Sequence, residues 1–414
     1  MNAEIITIGD ELLIGQVIDT NSAWMGQQLN SIGIRVAQIT SVSDNREHIL
    51  QTLAEASLRA QVILITGGLG PTKDDITKFT LCEYFNTSLV FHEEAFKDIE
   101  GFFFGRGIAI TEMNRLQAML PEACIAIRNP VGTARGMWFE KDGCIYVSMP
   151  GVPFEMKAIM TDYVLPELLR RFADQAIVHK TIMTTGIGES FLAAKIESWE
   201  DALPSNMKLA YLPSPGIVRL RITASGNDRQ KIEKEVEEQV NKLLPLASEY
   251  IYGFDDQQLE EVIGKMLLAN DLSLSTAESC TGGFLAHLIT SIPGSSAYFT
   301  GAVVSYSNQV KMNQLGVSYS SLVRSGAVSE EVVRQMAEGV RNLMQTSYAV
   351  GISGIAGPDG GTAEKPVGLV WIAIAGPGGT IAKEFRFGDN RERNIRRAAL
   401  AALNMLRKIL LNHK

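Results

Sequence analysis

The apolar positions fall into short runs broken by glycine, and their period alternates between that of a strand and that of a helix. Residues 3–8 form a buried-strand pattern that ends at Gly9-Asp10-Glu11. Residues 21–32 place Trp24, Met25, Leu29 and Ile32 at helical spacing before Gly33 stops them. A strand-like stretch follows at 34–42, a helical one at 49–60, and a five-residue apolar strand at 62–66 that runs into Gly67-Gly68. Strand, helix, strand, helix, strand predicts an α/β layered domain with a mostly parallel sheet. Such sheets hold ligands at the loops beyond the carboxyl ends of their strands, so the loop after Thr66 is the first place to look.

A second pattern starts near residue 175. Residues 179–185 read as a strand and 189–198 as a helix. Two strands, 208–212 and 217–224, flank Pro213-Ser214-Pro215-Gly216, and 228–244 form a charged amphipathic helix. This order predicts a small α+β domain. A third block opens after Tyr252-Gly253 with a helix at 259–269. A short strand at 273–277 enters Glu278-Ser279-Cys280-Thr281-Gly282-Gly283 and then a helix. Further strands are expected at 302–306, 349–353 and 367–375, and a closing helix at 395–411. The predicted architecture is therefore α/β in three domains, 1–170, 175–252 and 255–414.

Composition narrows the chemistry. A chain of 414 residues with 46% hydrophobic and 20% charged positions is an ordinary globular balance for two or three domains. Its net charge, 38 − 46 = −8, argues against nucleic acid as the main partner. Cys82, Cys124, Cys144 and Cys280 show no CxxC spacing, which disfavours disulfides and thiolate metal sites and makes a reducing cytoplasm the expectation. No two of the five histidines stand at metal-ligand spacing. The start of the chain lacks the pattern of a signal peptide, and no apolar run reaches the ~18 residues of a membrane span.

Two glycine-rich loops carry the candidate chemistry. In the first, Thr66-Gly67-Gly68-Leu69-Gly70-Pro71-Thr72-Lys73-Asp74-Asp75-Ile76-Thr77, glycines after a strand let N–H groups approach an anion. Asp74 and Asp75 repel a bare phosphate and make sense with a divalent cation between them and it. It is not a Walker A loop. Asp10, Glu11, Asp44, Asn129, Gly132, Pro150 and Gly151 end other segments of the same block and together would line one crevice. In the third block, Ser279 sits between a strand and a helix, where free N–H groups can stabilise an oxyanion. His287 is too far along that helix to serve it. Lys311, if desolvated beside Ser279, would accept its proton, and Tyr306 would relay or orient. On the residues alone, Ser279 reads equally well as a helix N-cap and Lys311 as a surface charge. Cys280 is a rival nucleophile or a small buried filler. The second loop, 351–361, offers Ser353, Gly354, Gly357, Gly360 and Gly361 to a phosphate, with Lys365 as a candidate cation.

The motifs GDELLIGQVIDTNS, GGLGPTKDDIT, NPVGTARG and MPGVPFEM resemble the molybdopterin-binding-like domain of the CinA family. TAESCTGG, GAVVSYSNQVK, GAVSEEV, GISGIAGPDGG and KPVG resemble that family's C-terminal amidase domain. The resemblance implies an N-terminal ADP-ribose pyrophosphatase, a KH-type middle domain and a C-terminal nicotinamide-nucleotide amidase. It favours Ser279, Lys311 and Tyr306 as the amidase set, with Cys280, Thr281, Gly282 and Gly283 at the substrate. For the first domain it implies Asp44 and Asp75 as the catalytic pair and Gly67, Gly68, Gly70 and Thr72 at the substrate. Asp10, Glu11, Asp74 and Asp75 are then the candidate ligands of a divalent metal ion, magnesium or cobalt, with potassium as an optional helper. The REUxEExG segment of Nudix hydrolases is lacking. No cofactor is expected for the amidase. The expected partners are nicotinamide mononucleotide and ADP-ribose, with no membrane or nucleic acid and a homodimer as the assembly. The middle block lacks a GxxG clamp, so a scaffold role is expected there. The rival readings are a pterin-binding protein of molybdenum-cofactor assembly and a non-enzymatic DNA-uptake partner.

Overall fold

The computed structural model describes residues 1–70, 72, 75–104, 109–172 and 176–412. The chain forms two compact units. One comprises Met1–Val178 with Ala224–Lys234, the other His179–Thr223 with Glu235–Lys414. No helix among the described residues is long and apolar enough to cross a membrane.

The first unit contains β1 (Asn2–Ile8), β2 (Arg35–Val42), β3 (Val62–Thr66), β4 (Leu89–Phe91), β5 (Met119–Pro121), β6 (Ile125–Ile127), β7 (Gly136–Lys141) and β8 (Cys144–Met149). Six of them form one sheet in the order β2-β1-β3-β8-β7-β6, and β4 pairs with β5. β1, β2, β3 and β8 are parallel, with Ile5 opposite Ile39 on one side and Leu64 on the other. Both faces are covered, by a cluster around Ile6, Ile65 and Tyr146 and another around Ile5, Leu64 and Trp138. That is why β1 and β3 read as continuous apolar runs. β7 and β8 join antiparallel through Asp142-Gly143, both at positive φ (51° and 78°), a turn whose twist suits a hairpin. The chain passes from β1 to β2 on one side and returns to β3 on the other, so the loops at the carboxyl ends part there. Gly67 is required at that point. At φ 115° its missing Cβ would come within 2.1 Å of the Ile8 carbonyl oxygen.

The second unit holds a four-stranded sheet, β10-β11-β9-β12, from β9 (Ala176–Thr185), β10 (Met207–Ser214), β11 (Ile217–Gly226) and β12 (Ile251–Phe254). A five-stranded sheet in the order β14-β13-β15-β16-β17 follows from β13 (Leu274–Glu278), β14 (Phe299–Val304), β15 (Tyr348–Gly354), β16 (Leu369–Gly376) and β17 (Gly379–Arg386). Helix Glu330–Met344 covers one face through Val333, Met336 and Val340. Helices Leu259–Ala269 and Arg391–Leu411 cover the other. Met183, Ile217 and Tyr252 of the smaller sheet join that same cluster beside Leu400 and Leu403. Buried Arg407 also reaches across, donating to the carbonyls of Ile251 (2.9 Å) and Glu249 (2.6 Å). The middle and third sequence blocks thus share one core.

β13 is an interior strand parallel to both neighbours, so the carboxyl ends of β13, β14 and β15 open together. Its last residue, Glu278, is fully buried. The Glu278 carboxylate accepts from the N–H groups of Gly283 (3.1 Å), Leu285 (3.0 Å) and Ala286 (2.8 Å). It therefore caps helix Phe284–Thr290, whose N-cap residue Gly283 has no side chain to do so. The same three bonds pin the turn 279–283. Removing the carboxylate strands three buried donors. Glu278→Ala is expected to cost about 3 kcal/mol or more in denaturant unfolding, and Glu278→Gln, which keeps one acceptor oxygen, less. An alanine variant as stable as the parent would show that the cap holds nothing.

Candidate active sites

The turn after β13 delivers Ser279, half-buried, with its N–H bonded to the Ile352 carbonyl at 2.9 Å. After β14, Ser307 caps helix Asn308–Leu315 by accepting from the Val310 N–H, and the helix carries Lys311 on its first turn. The sequence placed Lys311 at the end of an extended segment running from 303. β14 ends at Val304 instead, and the Ser307 cap turns the chain into a helix that swings Lys311 inward. Lys311 is 1% exposed, and its Nζ lies 3.0 Å from Ser279 Oγ. The ammonium also donates to the Ser305 carbonyl at 2.6 Å and lies 3.5 Å from that of Tyr306. Burial pushes the Lys311 amine below the ordinary lysine range. Among the described residues no carboxylate forms an ion pair with it, so its neutral form is favoured relative to a surface lysine.

Around this pair, the N–H of Gly282 bonds the Ser279 carbonyl and that of Gly283 bonds Glu278. Among the described residues the N–H groups of Cys280 and Thr281 have no backbone acceptor. Thr281 Oγ1 is buried without a partner among the described residues. Cys280 is buried and its thiol is pushed up to about 12 by desolvation, which leaves no thiolate to compete with Ser279. Tyr306 is 63% exposed and does not point its hydroxyl at Lys311. It accepts instead from Arg391 Nη2 at 3.2 Å, while Arg391 Nη1 donates to the Gly357 carbonyl at 2.7 Å. Asn394 donates to the carbonyls of Ala356 and Gly388, which fixes the same loop. Ser353 is 1% exposed with its hydroxyl donated to the Ala327 carbonyl, and Lys365 Nζ is held by the carbonyls of Ser325 and Val328. Gly354 ends β15, and Gly357 and Gly360 turn the loop at positive φ (92° and 88°) before Gly361. Glu278, Ser305, Arg391 and Asn394 were missed in the sequence. Glu278 and Ser305 sit inside quoted motifs, whereas Arg391 and Asn394 lie outside them, and the roles of all four depend on partners 5 to 85 positions away.

In the first unit, a cleft of about 500 Å³ lies at the carboxyl ends of β1, β2, β3 and β8. Gly9, Glu11, Asp44, Gly67, Gly68, Gly70, Asp75, Pro150 and Gly151 line it together. Asp10 is not in that lining, but its N–H donates to the Asp44 carboxylate at 3.1 Å and its own carboxylate accepts from the Asp44 N–H at 3.4 Å. Asp75 accepts from the N–H groups of Gly70 (2.8 Å) and Thr72 (2.9 Å) and from the Thr72 hydroxyl, so it organises the glycine loop. Asn129 donates to Glu155 (2.6 Å) and to the Ala134 carbonyl, and Gly132 leaves room for the Glu155 carboxylate. Glu155, which the sequence reading did not select, lines the cleft, and burial pushes its carboxyl up. Asp74 lies outside the described residues. Among the described residues no three His, Cys, Asp or Glu side chains converge as an ion cage. The described lining also holds no lysine or arginine, although it joins five carboxylates to an anion-shaped glycine loop. That donor set fits a divalent cation shared with a ligand's phosphates, using one or two carboxylates, rather than a closed protein cage.

Three family models match the chain in succession. Residues 4–170 match the model "Probable molybdopterin binding domain", 179–253 the "Damage-inducible protein CinA KH domain" and 256–410 the "CinA C-terminal domain". The chain is 49% identical over 408 residues to a "CinA-like protein" of Cytophaga hutchinsonii, covering 99% of this chain and 98% of that one. It is 44% identical over 394 residues to a "Putative competence-damage inducible protein" of Halothermothrix orenii, covering 95% and 94%. A solved structure, competence/damage inducible protein CihA from Agrobacterium tumefaciens, is 40% identical over 38% of this chain and 98% of its own, with TM-score 0.36. With a molybdopterin-binding-like domain, a KH-type domain and a CinA C-terminal domain in that order, the chain belongs to the CinA family.

Proposed function

We propose that the second unit is a serine amidase acting on nicotinamide mononucleotide. The observation that carries this is a buried, unpaired lysine amine 3.0 Å from an accessible serine hydroxyl at a turn with free N–H groups. Ser279 Oγ attacks the carboxamide carbon while the neutral Lys311 amine takes the hydroxyl proton. The N–H groups of Cys280 and Thr281 receive the oxyanion. The Lys311 ammonium then returns the proton to the departing nitrogen, and ammonia leaves. Water, deprotonated by the same amine, opens the acyl-serine to nicotinate mononucleotide. Arg391, held at the rim by Tyr306 and Gly357, is the cation suited to the ligand's phosphate. Tyr306 is on this reading a positioning residue.

The first unit supports a second hydrolysis, of ADP-ribose to AMP and ribose 5-phosphate. Its support is the cleft itself, a glycine cradle facing carboxylates with no basic residue among those described. One or two of the cleft's carboxylates, Asp44 and Asp75 first among them, would hold a divalent ion, magnesium or cobalt, and that ion would neutralise phosphoryl charge. Potassium is a further candidate. Asp75 shapes the loop that receives the phosphates, and Glu155, its carboxyl raised by burial, is the group suited to hold or move a proton. The pterin-binding reading shares this cleft, and calorimetry with a pterin against ADP-ribose separates the two. The competence-related names of the relatives belong to those proteins. Salt-dependent DNA binding would be needed to bring that role here.

Ser279→Ala is expected to abolish ammonia release while retaining nucleotide binding; continued turnover would remove Ser279 as nucleophile. The amidase rate should rise with pH through the Lys311 titration, because only the neutral amine accepts a proton. Burial lowers that titration, so the rise lies below the ordinary lysine value of about 10.4. Lys311→Met should erase both the rate and the rise, and a normal profile there rejects Lys311 as the base. Asp75→Asn should lower metal-dependent ADP-ribose cleavage roughly a hundredfold and leave the amidase intact. Loss of both activities together would show that the two sites are not independent.

A further inference from the structure

A second cavity in the second unit, also of about 500 Å³, belongs to neither proposed site. It lies between the loop after β9, the β10–β11 turn, β17 and the far part of helix Arg391–Leu411. Its size is that of a small-molecule site. Three cations line it, Lys383, Arg397 and Lys408, against one carboxylate, Glu189. In a chain of net charge −8 this local excess is opposite in sign to the whole.

One wall is built for an anion. Helix Glu189–Asp201 begins there behind Gly188, with no side chain capping its free N–H groups. Asn404 is only 8% exposed and lines the same wall. Its Oδ1 accepts from Arg407, while its Nδ2 donor makes no hydrogen bond among the described residues. That Nδ2 lies against Gly186, where a Cβ would meet it at 2.5 Å with φ at 81°. Asn404 Nδ2 is thus a donor open to the cavity and available to a ligand's acceptor. The opposite wall is aromatic. Phe385 and Phe387 stack on one another, 5.7 Å apart at 16° and half-buried, with Lys383 Nζ 5.3 Å from the Phe385 ring centroid, so the wall is a ring stack with a cation beside it. A planar ring can stack there while its charged end meets Asn404 and the lysines.

We propose that this cavity is a nucleotide-binding site, taking a phosphorylated ligand of mononucleotide size with its base on Phe385 and Phe387. The assignment is independent of either hydrolytic reading. The test uses the full chain and 8-azido-AMP, with labelled peptides mapped after irradiation, so that binding in the first-unit cleft or at Ser279 is read separately. Label is expected within 379–387 or 398–408, displaced by AMP but not by adenosine. Replacing the exposed lysines together, Lys383→Glu with Lys408→Glu, should cut that label at least tenfold with the unfolding midpoint unchanged. Arg397→Glu is a second, independent variant with the same expected loss. Absence of label on those peptides, label unaffected by the charge reversals, or displacement by adenosine as effective as by AMP would overturn the proposal. Displacement by inorganic phosphate as effective as by AMP would also overturn it, because the rings would then contribute nothing.

Discussion

The desolvated amine of Lys311 is the constraint on which the second unit's candidate chemistry rests. An ammonium enclosed without a counter-charge is costly, and the cost is relieved when the proton leaves. The fold holds the nitrogen against the Ser305 carbonyl and Ser279 Oγ, so a proton leaving the serine has an acceptor within reach. The buried carboxylate beside the nucleophile, Glu278, spends its oxygens on three N–H groups of the following helix. Its charge therefore serves the turn and not the lysine. Two buried ionisable groups beside one serine thus keep separate tasks, Glu278 fixing backbone and Lys311 held against the serine hydroxyl.

Both units make their clefts by one device. A central parallel strand is flanked first on one side and then on the other, and the loops at the carboxyl ends diverge. The clefts differ in what fills the gap. The first gathers carboxylates around a glycine loop, which suits a ligand whose charge is shared with a cation. The second places one neutral-leaning amine beside a hydroxyl and keeps a guanidinium at the rim. No histidine lines the first cleft among the described residues, and Ser279 meets Lys311 rather than an imidazole. The cavity lined by Phe385 and Asn404 arises differently, from the shared core that seats the smaller sheet on helix Arg391–Leu411.

Much of this was legible in the residue pattern. Continuous apolar runs at β1 and β3 announced a sheet covered on both faces, and glycines after each marked the ligand loops. The hairpin of β7 and β8 was overlooked although Asp142-Gly143 between apolar stretches is a strong turn signal. Helix Glu330–Met344 and strand β17 were overlooked too. Glu155 stood inside a recognised motif but looked like any first-turn glutamate, because its burial is set by Asn129 and Gly132 from another loop.

By itself the sequence determined the order of elements, the two glycine loops and the serine at the end of an apolar strand, because periodicity and backbone permissiveness are local properties. Tertiary structure alone decided that Lys311 is buried rather than solvated, that Tyr306 faces Arg391, and that Ser353 and Lys365 spend their polar groups on carbonyls. Those outcomes depend on desolvation and on hydrogen-bond partners brought together from distant positions, and no local pattern encodes either.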